Sequence, residues 1–116
     1  MDTRFRFIQE ERLKNREQIQ LVFKQGKSTA YSGAKLFLLK NELPINRIVF
    51  ALPRKYGNAV ERNRSRRLSR EVYRRMRPSL KTGFDLALLV YPGKDEYKAR
   101  SEQMRALFKK TGLLVE

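Results

Sequence analysis

Apolar residues fall into short blocks along the chain, and the spacing within each block predicts the element that it forms. In the first block, Ile19, Val22 and Phe23 recur at positions i, i+3 and i+4, which predicts a short helix with one apolar face. Asn15 stands where a helix is capped, and Gly26 follows the block where a helix ends. The pattern therefore predicts a first helix between these two residues.

Apolar runs without helical spacing predict strands. Residues 34–40 carry bulky side chains on both faces, residues 47–52 form a second run, and residues 84–91 are the strongest strand signal. Turn residues separate the first two runs, so the simplest arrangement pairs them antiparallel. A short additional strand is predicted near residues 28–31.

Helical spacing returns in two longer segments. Residues 58–77 predict a helix that Asn58 caps, that Glu61 supports as the other half of a capping box, and that Pro78 ends. Residues 95–110 predict the last helix. One stripe of the helix at 58–77 is small or apolar enough to lie on a sheet: Ser65, Leu68, Ser69, Val72 and Met76.

The order helix, two strands, helix, strand, helix predicts an α+β fold, an α/β sandwich in which a small sheet packs with three helices. At 116 residues the chain is expected to form a single domain, residues 1–116. Residues 1–14 mix basic and apolar side chains without a clear period. They are predicted to form an extended, partly mobile basic arm.

The helix at 58–77 is strongly basic outside its apolar stripe. Only Glu61 and Glu71 oppose the arginines that occupy the rest of its circumference: Arg62, Arg64, Arg66, Arg67, Arg70, Arg74, Arg75 and Arg77. Because like charges on one helix repel, a polyanion that neutralises them best explains this pattern. Guanidinium groups fork onto phosphates and stack on bases, which favours nucleic acid over a face that is basic only for solubility.

Composition supports a polyanionic partner and restricts the chemistry. The chain has 27 Lys and Arg against 12 Asp and Glu, a formal net charge of +15. It has no His, and its acidic residues are scattered, so no metal site and no catalytic residue of the protein itself is expected. The lack of Cys, of a membrane-length apolar run and of a signal-peptide pattern predicts a cytoplasmic location.

The segment that begins at Gly57 resembles the signature of the bacterial ribonuclease P protein family. It reads Gly57-Asn58-Ala59-Val60, followed by Arg62-Asn63-Arg64, Arg66-Arg67 and Arg70-Glu71. The flanking segments agree with the spacing of the family: Arg12-Leu13, Val22-Phe23-Lys24 with Gly26, and the strand at 84–91. The resemblance covers nearly the whole chain.

The resemblance implies a small basic subunit of a ribonucleoprotein endonuclease, joined to a large catalytic RNA. Together they would remove the 5′ leader of precursor tRNA by phosphodiester hydrolysis. The Mg²⁺ of the holoenzyme would be bound mainly by the RNA, with no cofactor on the protein alone and no membrane partner. The implied fold is the ribosomal protein S5 domain 2-like one, with a left-handed strand-helix-strand crossover that opposes the usual handedness.

The resemblance also implies two groups of site residues. The expected contacts to the catalytic RNA are Arg54, Lys55, Asn58, Arg62, Asn63, Arg64, Arg66, Arg67 and Arg70. The expected cleft for the leader of precursor tRNA is lined by Ile19, Phe23 and Phe37. Ile19 stands where the family usually has an aromatic residue.

Two alternatives remain open from the residues themselves. Phe23 and Phe37 are either platforms on which a single strand stacks or ordinary core residues. The second alternative concerns the whole chain, which would then be a ribosomal or nucleoid-type structural nucleic-acid-binding protein. A nuclease that acts alone fits least well, because the chain has no His and only scattered acidic residues.

Overall fold

The computed structural model describes residues 9–93 and 95–115. The helices and strands of this part are α1 (Arg16–Gln25), β1 (Lys27–Tyr31), β2 (Ala34–Lys40), β3 (Arg47–Ala51), α2 (Ala59–Met76), β4 (Phe84–Val90) and α3 (Tyr97–Lys110). Two 3₁₀ turns, Gln9–Glu11 and Arg77–Ser79, precede α1 and follow α2. The three predicted helices are confirmed, and the predicted short strand is confirmed as β1.

The strands form one mixed sheet in the order β1-β2-β4-β3. β4 pairs antiparallel with β2 and parallel with β3, so the prediction that the runs at 34–40 and 47–52 pair with each other is wrong. The helix α2 lies in the connection between β3 and β4, and a helical crossover is the connection that parallel neighbours need. β4 takes the inner position because it is apolar on both faces: Leu86, Ala87 and Leu88 are all buried.

The two faces of the sheet bury two separate clusters. On one face, the main core joins Leu36, Leu86 and Leu88 of the sheet to Val72 of α2 and Phe108 of α3. On the other face, α1 contributes to a smaller cluster of Leu13, Val22 and Ala87, with the half-buried Ile19, Phe23, Phe37, Leu39 and Val49 against it. The residues of the predicted leader cleft therefore lie between α1 and the sheet.

The cap of α2 is the predicted one, and its buried stripe differs from prediction at two positions. The Asn58 side chain accepts a hydrogen bond from the Glu61 amide at 2.8 Å, and the Glu61 carboxylate accepts one from the Asn58 amide at 3.1 Å. Tyr73 is buried, whereas Leu68 is only partly buried. Successive residues turn by about 100°, so Tyr73 and Leu68 lie at opposite edges of the stripe, and the buried arc is shifted toward the Tyr73 edge.

Residues 9–14 belong to the folded domain. The Leu13 amide donates to the Ile48 carbonyl at 3.0 Å, and Arg12 forms a parallel bridge with Ile48. The sequence pattern predicted an extended, partly mobile arm, whereas Leu13 is 3% exposed and packs this segment along the edge of β3. Residues 1–8, the rest of the predicted arm, lie outside the described residues.

Gly26 is required after α1 by close approach and not by a left-handed backbone. Its φ is −69°, but an added Cβ would lie 2.9 Å from the Leu38 carbonyl oxygen and still closer to that of Val22. We expect Gly26→Ala to lower the free energy of unfolding by more than about 1 kcal/mol. Gly93→Ala is the control, expected within about 0.5 kcal/mol of the parent, because its Cβ would meet its first neighbour at 3.9 Å. Equal denaturation midpoints for the two variants would contradict this account.

Candidate nucleic-acid interface

The arginines at the C-terminal end of α2 and just beyond it contact carboxylates within the chain. Arg74 and Arg75 both contact Glu71, at 2.6 and 3.2 Å, and Arg77 contacts Glu11 at 2.6 Å. The hydrogen bonds from Arg74 lower the pKa of Glu71, so this carboxylate stays charged opposite its two arginines. This end of α2 is therefore not the part that most needs an external anion.

Arg66 and Arg70, in the middle of α2, line a groove of about 310 Å³ that we call the arginine cleft. Arg12 and Lys14 supply its other charged groups, and its walls are apolar: Leu13, Ile19, Ile48, Val49 and Phe50. None of these lining residues is acidic. The cleft exists because the segment at 12–14 lies along β3 and faces α2 across it.

The positive charges around the arginine cleft crowd one another. Burial lowers the pKa of Arg70, and the neighbouring charges of Arg12, Arg66 and Arg67 lower it further. The charged guanidinium is therefore less favourable here than in water. An anion that entered the cleft would relieve this repulsion in addition to forming its own contacts.

The outer side of α2 extends the same basic surface to solvent. Asn63, Arg64 and Arg67 are exposed there. Within residues 9–93 and 95–115, Arg64, Arg66 and Arg67 form no salt bridge with a carboxylate. The middle of α2 therefore presents guanidinium groups that this part of the chain does not neutralise.

The turn between β3 and α2 adds two exposed basic residues, Arg54 and Lys55. Arg62 folds back on this turn: its Nη1 donates to the Pro53 carbonyl at 2.7 Å and to the Arg54 carbonyl at 3.4 Å. The Asn58 side chain is engaged in the helix cap. Two of the predicted RNA contacts thus already make bonds within the protein, while Arg54 and Lys55 are on the surface.

The structure brings together the three residues of the predicted leader cleft. The rings of Phe23 and Phe37 meet edge to face, with centroids 4.8 Å apart and an interplanar angle of 61°. Both are half-buried, and the Lys35 Nζ lies 5.3 Å from the centroid of the Phe37 ring. Ile19 packs on the same cluster and also lines the arginine cleft. The aromatic pair and the arginine cleft are therefore adjacent sites.

Sequence reasoning missed two members of the arginine cleft, Arg12 and Lys14. They precede the first helix in a segment without periodicity, which is why they were assigned to a mobile arm. The signal that could have placed them is Leu13 between them, since alternation of apolar and polar residues is typical of a segment that lies along a sheet.

The part of the chain that the structure describes contains no group of three His, Cys, Asp or Glu side chains able to hold a metal ion. Its residues thus do not fit a divalent metal bound by the protein alone, which takes several oxygen ligands. In the same part, none of the helices has the length and apolarity needed to cross a membrane.

A mixed sheet with an arginine-rich helix on one face and a half-buried aromatic pair beside a lysine on the other is typical of a small RNA-binding protein. The sequence model of the family Ribonuclease P matches residues 7–112. The chain therefore belongs to the ribonuclease P protein family.

Relatives within this family match most of the chain. The ribonuclease P protein component of Natranaerobius thermophilus is 45% identical over 105 residues, which cover 88% of this chain and 90% of that protein. The corresponding protein of Dictyoglomus thermophilum is 30% identical over 116 residues, with 97% of each chain covered.

Solved structures agree with the fold. The RNase P protein from Thermotoga maritima has a TM-score of 0.78 and 28% identity, with 86% of this chain and 96% of that chain covered. The protein from Staphylococcus aureus has a TM-score of 0.81 at 20% identity, with 90% and 97% covered, and supports the fold alone. These likenesses confirm the predicted fold class, three helices on a small mixed sheet.

Proposed function

We propose that the chain is the protein subunit of a ribonucleoprotein that removes the 5′ leader of precursor tRNA in the cytoplasm. The observation that carries this proposal is the acid-free arginine cleft beside the aromatic pair, in a member of the ribonuclease P protein family. One site suits a folded RNA with closely spaced phosphates, and the other suits a single strand.

The arginine cleft and the outer side of α2 are assigned to the catalytic RNA. Arg66 and Arg70 would bind phosphates within the cleft, and Arg64 and Arg67 would bind them at the surface, because planar guanidinium groups form two parallel bonds to one phosphate. Asn63, Arg54 and Lys55 extend this surface toward the turn before α2. Asn58 and Arg62, which make bonds within the protein, shape the surface from inside.

The half-buried rings of Phe23 and Phe37 are assigned to the leader. Each ring is half-buried, so it packs on the core with one part and is accessible with another. A base stacked on such a ring gains roughly 1–3 kcal/mol, and Lys35 beside Phe37 would attract the phosphate of the same strand. This arrangement binds single strands with little dependence on sequence, as a subunit that serves many precursors requires.

The hydrolysis itself is assigned to the RNA subunit, with Mg²⁺ held mainly by that RNA. The described residues of the protein offer neither His nor a carboxylate cluster for this chemistry. What the protein contributes is binding: it neutralises RNA phosphates and holds the leader close to the RNA.

The test is a reconstitution with precursor tRNA and Mg²⁺. The protein, freed of RNA, should leave the precursor uncut, and addition of the catalytic RNA should restore specific cleavage at the 5′ end of the tRNA. Specific cleavage by the RNA-free protein would contradict the proposal. A pull-down addresses the ribosomal or nucleoid alternative, which predicts recovery of ribosomes or bulk DNA in place of one RNA with leader-cleaving activity.

A further inference from the structure

Arg100 of α3 is a charged residue in the interior, with 1% of its surface exposed. Its guanidinium donates to the Ser69 hydroxyl at 2.5 Å and to the Ser65 carbonyl at 3.1 Å, both in α2, and to Asp95 Oδ1 at 2.5 Å. A buried charge is tolerated only with such partners. The small side chains of Ser65 and Ser69 in the stripe of α2 thus serve to admit a guanidinium from α3.

Asp95 connects this buried arginine to the turn before α2. The Tyr56 hydroxyl donates to both Asp95 carboxylate oxygens, at 2.6 and 2.8 Å, and Tyr56 is 8% exposed. Burial raises the pKa of Tyr56, and the bond to Asp95 raises it further, so the hydroxyl keeps its proton and remains a donor. A continuous chain of bonds thus runs from α2 through Arg100 and Asp95 to Tyr56.

A second arginine, Arg62 of α2, holds the same turn at the residues that precede Tyr56. Arg62 Nη1 donates to the carbonyls of Pro53 and Arg54, at 2.7 and 3.4 Å. The exposed residues Arg54 and Lys55 are therefore the part of the turn that lies between two anchored points. Their backbone is anchored at both ends while their side chains extend into solvent.

We propose that Tyr56, Asp95 and Arg100, together with Arg62, are positioning residues that hold the turn so that Arg54 and Lys55 meet the phosphates of the catalytic RNA. This inference rests on the proposed function, and it assigns to Arg62 a role within the protein. A binding surface held in its bound geometry loses less conformational entropy on association, so the anchors contribute to affinity without touching RNA.

Tyr56→Phe is the most selective variant, because it removes one hydroxyl and keeps the buried ring. We expect the Kd for the catalytic RNA to rise about three- to tenfold. If the turn loses one phosphate contact, the slope of log K against log salt becomes shallower by about 0.7–0.9. Amide hydrogen exchange should accelerate at residues 54–58 and stay unchanged in the second half of α2. Tyr31→Phe, at an exposed tyrosine of β1, is the matched control and should change none of these.

A double-mutant cycle separates positioning from a purely structural role. The variant with both Arg54→Ala and Lys55→Ala gives the affinity for the catalytic RNA when the turn makes no charged contact. Adding Tyr56→Phe to that variant should cause no further loss of affinity. If Tyr56→Phe weakens binding equally in both backgrounds, or lowers the melting temperature with the salt slope unchanged, the positioning role is overturned while the proposed interface stands. If the variant with Arg54→Ala and Lys55→Ala binds the catalytic RNA as tightly as the parent, the turn lies outside the interface. The positioning role and the assignment of Arg54 and Lys55 to the RNA are then both wrong.

Discussion

Replacement of Arg66 and Arg70 together by alanine is expected to weaken binding of the catalytic RNA by about 100-fold or more. Each hydrogen bond to a charged group contributes roughly 1.5–3 kcal/mol, and two such losses multiply in the binding constant. The slope of log K against log salt should become shallower by about 1.4–1.8, because each guanidinium that meets a phosphate displaces counterions. Equilibrium binding over a salt series measures both quantities.

Arg74→Ala with Arg75→Ala is the matched control for this experiment. It removes the same charge from the same helix, but these arginines already contact Glu71. We expect a change in affinity within about threefold, as for exposed ion pairs that contribute little. Equal losses for the two pairs would show that RNA responds to the net charge of the protein and that the arginine cleft has no special part in binding.

A thermal melt completes the comparison. Burial, and then the charges of Arg12, Arg66 and Arg67, lower the pKa of Arg70, so removal of two members of this group relieves part of the repulsion in the folded state. The variant should melt within a few degrees of the parent or above it. A collapse of the fold would mean that the apolar stems of the two side chains stabilise the protein by packing. The loss of RNA binding would then be an indirect effect of unfolding.

Features that depend on neighbouring residues were predictable from the sequence. The cap of α2 at Asn58 and Glu61 and the apolar face of α1 follow from short-range patterns, and the structure has both. The position of β4 between β2 and β3 depends on contacts between residues far apart in sequence. Turn residues after residue 40 favour a hairpin between β2 and β3. Burial of both faces of β4 is the larger effect, so β4 lies between these two strands.

The directions of two arginine side chains could not be inferred from the sequence. Arg100 is buried because Asp95 and two serines of α2 satisfy it, and these serines are 35 and 31 residues away in sequence. Arg62 resembles its neighbours in the motif, yet it bonds to backbone carbonyls of the preceding turn. A motif gives residue types at a spacing, whereas the direction of each side chain depends on the packed structure.

Substitution of Phe37 is expected to separate a role in leader binding from a role in the core. The ring is half-buried against the cluster of Val22 and Ala87 and touches Phe23 edge to face. In the assembled ribonucleoprotein, Phe37→Ala should weaken binding of precursor tRNA by roughly 1–3 kcal/mol if a base stacks on the ring. Binding of mature tRNA, which has no leader, should be unchanged. The two affinities measured side by side give the contribution of the leader.

Leu39→Ala is the matched control, because Leu39 lies on the same strand and packs on the same cluster without an aromatic ring. Both alanine variants should lose stability, by less than the roughly 3–5 kcal/mol expected for a fully buried phenylalanine. Only the Phe37 variant should discriminate between the two RNAs. Equal loss for precursor and mature tRNA with the Phe37 variant would return Phe37 to the core.

Phe37→Leu tests the same proposed leader contact with the packing kept. Leucine fills much of the apolar volume of the ring, so the unfolding free energy should fall by less than about 1.5 kcal/mol. It has no π face on which a base can stack, so the selective loss on precursor tRNA should persist at nearly the size seen with Phe37→Ala. Because the fold is retained, the remaining difference between the two RNAs comes from the ring itself. Full precursor binding by this variant would mean that the leader needs only an apolar side chain at this position, such as Ile19 already provides on the facing helix.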